Sequence, residues 1–127
     1  MRMYRVNIAG FGVNDVDVES LVINGLEVTK RGDISNKRTG AVHTENIIRI
    51  CTTTTYEKGF EPAIDRLLRK IKNNHHLAVL FSQCPYVELQ IRVMTCNREF
   101  GIPAISISKE QLAYLSTIGA CVDVSVL

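Results

Sequence analysis

Two closely spaced carboxylates, three histidines and four cysteines are the side chains whose types could carry chemistry in this chain. A catalytic constellation needs titratable groups that converge and perturb one another. Asp15 and Asp17 have the spacing of paired carboxylates, but they follow Asn14, a helix-capping residue type, and negative charge there also complements a helix dipole. His75-His76 could supply a base or a ligand, yet they stand just past the expected end of a helix, where imidazoles bond the last carbonyls or face water. His43 lies in a polar segment with no partner nearby in sequence. Cys84 precedes Pro85 and has neither a helix start nor a basic neighbour to stabilise a thiolate. No catalytic residue is assigned from these candidates.

Cys51, Cys84, Cys96 and Cys121 are widely spaced, without a Cys-x-x-Cys or finger-like Cys/His pairing. Zinc is not expected, no metal or cofactor site is assigned, and all four cysteines are read as thiols in a reducing compartment. Gly10-Phe11-Gly12 has the opening of a dinucleotide fingerprint, but Asp15 occupies the third glycine position and an acidic first turn repels a pyrophosphate. The phosphate-loop pattern is absent, and Arg31-Gly32-Asp33 matches an adhesion tripeptide by letters only.

Fifteen basic and thirteen acidic residues leave a formal charge of +2, which by itself argues for no nucleic-acid partner. The distribution is more informative. Asp15, Asp17, Glu19 and Glu27 form an acidic N-terminal set, and Lys30, Arg31, Lys37 and Arg38 follow as a basic one; these eight are the candidate partner-binding residues. A second basic group, Arg66, Arg69, Lys70 and Lys72, lacks the interleaved aromatics of a single-strand binder and is read as a solvated helix face. Among polar segments, Lys30 to Thr44 is the favoured functional surface, since long loops on a rigid sheet commonly bind.

The elements that must position these residues follow from periodicity. At 127 residues, with 46% apolar and 22% charged side chains, the chain is read as one domain with one core. Tyr4, Val6 and Ile8 alternate with Arg5 and Asn7 in a strand expected to end at Gly10. Asn14 then caps a short helix burying Val18, Leu21 and Val22. Ile47, Ile48 and Ile50 lead into threonines 52–55 as a second strand. Pro62 opens an amphipathic helix carrying Ile64, Leu67, Leu68 and Ile71 on one side. Leu77 to Phe81 fits either a helical turn or a buried strand, and Tyr86 to Met94 alternates cleanly as a strand. Ser108 and Gln111 form a capping-box pattern before a helix with Leu112, Leu115 and Ile118, closed by Gly119. From Ala120 onward, Val122, Val124 and Val126 alternate with polar residues.

These elements predict an α+β fold: a single mixed or mostly antiparallel sheet of four to six strands with two to three helices packed on one face. The expected core is Val6, Ile8, Leu21, Ile48, Ile50, Ile64, Leu67, Leu68, Leu89, Ile91, Leu112, Leu115, Val122 and Val124. The opening residues lack the apolar run of a secretory signal and no segment is long enough to span a bilayer, so a cytoplasmic protein without membrane contact is expected.

The order of blocks resembles the bacterial domain-of-unknown-function family 4279. The resemblance rests on Phe11-Gly12-Val13, Asp15 with Asp17, Asn24 to Thr29, Gly32-Asp33, Ile64 to Leu68, Val87 to Val93, and Ser108 to Asp123. Val28 stands where that family favours proline, Ile118 where it has leucine, and its frequent central tryptophan is missing. The resemblance implies a small bacterial cytoplasmic protein of variable gene neighbourhoods, including those of polymorphic toxins and contact-dependent growth inhibition, and it transfers no catalytic residues. The expected function is accordingly a non-catalytic immunity protein that binds a protein partner, with a nuclease toxin domain as the candidate. Two other classes stay open: a small enzyme assembled from residues such as His43, His75 and Asp15, and a nucleic-acid or regulatory binding module. The sequence leaves the oligomeric state undetermined.

Overall fold

A computed structural model describes residues 3–19, 21–93 and 105–126. Met94 and Cys96, which enter the expectations above, lie outside the described residues. The chain runs β1 (Met3–Val13), α1 (Asp15–Glu19), β2 (Leu26–Thr29), β3 (Ile34–Asn36), β4 (Ala41–Val42), β5 (Asn46–Thr55), α2 (Glu61–Lys72), α3 (His75–Gln83), β6 (Tyr86–Val93), α4 (Lys109–Thr117) and β7 (Ala120–Val126). Five strands form one mixed sheet in the order β2-β5-β1-β6-β7, and β3 and β4 form a separate two-stranded sheet. The fold class is the α+β arrangement expected. No described helix is long and apolar enough to cross a membrane.

β1, the centre of the sheet, pairs antiparallel with β5 and β6, setting Ile8 opposite both Ile50 and Leu89. Period-two alternation puts these residues, with Val6, Ile48 and Ile91, on the face that the helices cover, and all are at most 2% exposed. α2 contributes Ala63, Ile64, Leu67, Leu68 and Ile71 to the same core. Each of these isoleucine and leucine side chains gains about 1.5–3 kcal/mol from burial, which holds the helix where propensity alone would not. The undecided run from Leu77 to Phe81 is helical. Asn73 caps the end of α2 and Asn74 starts α3, its side-chain oxygen accepting from Leu77 N at 3.1 Å. His75 and His76 therefore open α3 instead of trailing α2, and both are exposed.

Three further expectations are corrected. β1 does not stop at its glycines but continues to Val13, because they solve packing problems. A Cβ on Gly10 would lie 2.7 Å from Cys84 Sγ, and Gly12 takes φ +85° where the register with β5 shifts. Second, α1 ends at Glu19, leaving Leu21 half-buried against the core and Val22 97% exposed. Third, β7 runs parallel to β6 at the edge of the sheet, so Val122 and Val124 are 39% and 43% exposed; Leu112 on α4 is 49% exposed. The core instead gains Tyr4, Phe60, Leu77, Leu80, Phe81, Val87 and Val93.

The capping box before α4 forms as expected, with Gln111 N donating to Ser108 Oγ at 3.1 Å and Ser108 N to Gln111 Oε1 at 3.0 Å. Gln111 does more than cap. It is 3% exposed, and its Nε2 donates to Glu61 O at 2.9 Å and Asp65 Oδ1 at 2.6 Å, pinning α4 to the first turns of α2. Lys72 Nζ sits 4.6 Å from the Tyr114 ring centroid and ties the far end of α2 to α4.

Candidate protein-binding surface

The two candidate charge sets meet at Asn46. This residue begins β5, is 5% exposed, and satisfies its amide by joining three segments. Its Nδ2 donates to Val13 O and to Asp15 Oδ1, both at 2.7 Å, and its Oδ1 accepts from Arg31 N at 2.7 Å. Arg31 Nη2 then reaches Asp15 Oδ2 at 2.6 Å. The acidic start of α1 and the basic segment after β2 are thus clamped together beside an open depression of ≈ 320 Å³. As an exposed pair, Asp15–Arg31 contributes only about 0–1 kcal/mol itself; the buried Asn46 bonds do more of the fastening.

From this anchor the chain projects as a hairpin. Its base is closed by Gly32 N donating to His43 O at 2.9 Å and His43 N to Asp33 O at 2.8 Å, while Lys30 N donates to Asp33 Oδ2 at 2.8 Å. At the tip, Asn36 Oδ1 accepts from Arg38 N at 2.9 Å and Thr39 N at 3.3 Å, an Asx-type turn that stiffens the bend carrying Lys37 and Arg38. Between base and tip, Ile34 and Val42 are cross-strand partners, 64% and 50% exposed. An isolated two-stranded ladder is only marginally stable in water. Here two apolar side chains and two cations are displayed on a hairpin that adds no side chain to the core.

The remaining candidates are dispersed. Glu27 lies on the sheet face opposite the helices, accepting from Arg5 Nη2 at 3.4 Å and standing 4.0 Å from Arg49 Nη1. Asp17 is in the first turn of α1, where its N donates to Asn14 Oδ1 at 2.9 Å, and Glu19 ends that helix exposed. Asp15 is therefore brought to Arg31, Lys37 and Arg38 share the hairpin tip, and Glu27 belongs to a different surface.

That open sheet face carries a polar network that sequence reasoning missed. Arg5 Nε donates to Asn7 Oδ1 (3.0 Å), Asn7 Nδ2 to Gln90 Oε1 (3.4 Å), Gln90 Nε2 to Glu88 Oε1 (2.9 Å) and Tyr86 OH to Glu88 Oε2 (2.7 Å). The Cys121 thiol donates to Tyr86 OH at 3.1 Å, and Arg92 holds Asp123 at 2.9 Å. The alternation in β6 indicated a polar face, but the matching of partners depends on strand order.

Among the described residues four titratable groups are shifted, all of them upward. Burial pushes the Cys84 thiol up to about 11, and its Sγ donates to Leu80 O at 3.2 Å. Hydrogen bonds with Cys121 and then Glu88 raise the Tyr86 phenol, burial raises Tyr114, and the hydrogen bond to Cys51 raises Arg5. Cys51, Cys84 and Cys121 are free thiols. Of the second basic group, Arg66 is spent on Thr53 O at 2.6 Å and Lys72 on Tyr114. Among the described residues no group of three or more His, Cys, Asp or Glu is arranged to hold a metal. No protein-family model, curated protein or solved structure matches the chain.

Proposed function

We propose that this chain is a non-catalytic, cytoplasmic protein-binding domain of the immunity type, which neutralises a toxin by gripping it with the β3–β4 hairpin. The observation that carries the reading is the hairpin itself: Ile34 and Val42 exposed side by side, with Lys37 and Arg38 at a braced tip. An apolar pair rimmed by charge is the composition of a recognition patch, with the apolar area supplying affinity and the cations steering encounter. Asp15 and Glu27 are already matched by Arg31, Arg5 and Arg49, whereas Lys37 and Arg38 at the tip have no carboxylate partner among the described residues, so the tip favours an acidic surface on the partner. In this form a nuclease toxin is held by an acidic flank, not plugged at its phosphate-binding site.

The test is a hydrogen-exchange footprint of the chain with and without the product of the adjacent gene. The reading requires protection of residues 30–43 in the complex. Protection confined to other segments, or none, overturns it.

A further inference from the structure

We infer that the outer edge of β7 is a homodimer interface, across which a second copy of this chain pairs antiparallel and extends the sheet to ten strands. The inference does not rest on the partner reading, which concerns the opposite edge. β7 is seven residues long and, among the described residues, pairs through one side only, with β6. No described strand takes up the backbone donors and acceptors of its other side, which is a template for another strand. Soluble proteins blunt such edges with lysine, proline, bulges or brevity. β2, at the other end of the sheet, is only four residues long. β7 carries neither lysine nor proline, and its single carboxylate, Asp123, is held back toward β6 by Arg92 at 2.9 Å.

The pattern along the edge selects a copy of itself as occupant. With a two-fold axis through Val124, Val122 faces Val126 of the second copy, Val124 faces its own mate, and Asp123 faces a Ser125 hydroxyl. The three valines, 39%, 43% and 52% exposed, then form one continuous strip on the helix side of both sheets. Moving the axis to Asp123 sets two carboxylates against each other, which is disfavoured, and moving the register by one residue turns the valines to the opposite face. Moving the axis to Val122 matches Val124 with Ala120 and leaves Val126 unpaired.

α4 supplies a second contact. Gln111 and Tyr114 face α2, so at 100° per residue Leu112 stands on the flank turned away from α2. Its 49% exposure is covered when the second copy's α4 approaches. At about 4.8 Å per strand, the two outermost strands, and the hairpins beside them, lie about 43 Å apart in such a dimer.

Sedimentation of the full chain from about 1 to 100 µM tests this. The expected result is twice the chain mass at the upper concentrations, and the chain mass throughout for Val124→Lys with unchanged far-UV circular dichroism. In a Cys121→Ser background, Val124→Cys should form a disulfide-linked dimer under mild oxidation, since opposed Cβ atoms lie about 4.5–5.5 Å apart. This second variant decides the matter if Val124→Lys fails to fold. A monomer at every concentration, a dimer that survives Val124→Lys, or a Val124→Cys chain that does not cross-link overturns the proposal. So does a monomer whose β7 amides are protected only when the adjacent gene's product is added, because the edge then belongs to that partner.

Discussion

Arg31 closes on Asp15 at 2.6 Å across sixteen residues of sequence, with the buried Asn46 bonded to both. The pair joins what composition divides into an acidic and a basic region, and it fixes where the hairpin leaves the domain. Asn46 is the residue on which this geometry depends. Asn46→Ala removes three hydrogen bonds and strands the Val13 carbonyl and the Arg31 amide, so it should cost about 2–4 kcal/mol in denaturant unfolding. Asp15→Asn should cost less than about 1 kcal/mol, as an exposed pair does. Equal losses would contradict the assignment of the brace to Asn46.

Gly10 and Cys84 share one packing site. Gly10→Ala should destabilise by about 1–3 kcal/mol, because the new methyl meets Cys84 Sγ at 2.7 Å with Phe81 and Ile48 close behind. Adding Cys84→Ala should recover part of the loss, and a double-mutant cycle with no coupling would refute the contact.

The raised pKa of Cys84 makes the stability depend on alkaline pH. Below pH 9 the Cys84 thiol is protonated in both folded and unfolded chains. Between the unfolded value of 9.0 and the folded value of about 11 only the unfolded chain releases the proton, so stability falls as pH rises through that window. Cys84→Ala should flatten the decline relative to wild type in denaturant midpoints from pH 8 to 11. Parallel curves would refute a protonated, buried thiol.

Gln111 is the hinge pin between α2 and α4. Gln111→Glu preserves the acceptor that Ser108 N uses but faces Asp65 and the Glu61 carbonyl without a donor. It should be destabilised by about 1–3 kcal/mol at pH 7 and recover as the new carboxyl protonates. A thermal midpoint independent of pH between 4 and 7 would show that the contact contributes nothing.

Local rules made much of this fold legible. The stripe of α2, the box at Ser108 and Gln111, the Asn14 cap and the alternation of β6 all depend on residues within a turn or two of one another, and each forms as read. Position within the sheet was not legible: Val122 and Val124 alternate as an interior strand would, and only the parallel pairing with β6 at the edge leaves them exposed. Gly10 and Gly12 read as strand breakers because the Cys84 and Pro85 atoms that demand them are more than seventy residues away. The eight candidate site residues were visible as charge, but their grouping was not. Arg31 selects Asp15 and Glu27 turns to Arg5 through strand order, which no local spacing encodes.

Titration of the chain with the adjacent gene's protein by calorimetry, using wild type and an Ile34→Ser, Lys37→Glu, Arg38→Glu variant, tests the binding account most directly. All three positions are exposed, so the variant should keep the wild-type unfolding midpoint within about 0.5 kcal/mol. The account predicts a complex tighter than about 1 µM for wild type and at least about 100-fold weaker binding for the variant. No heat of binding at about 50 µM, or equal affinity for both proteins, would contradict it.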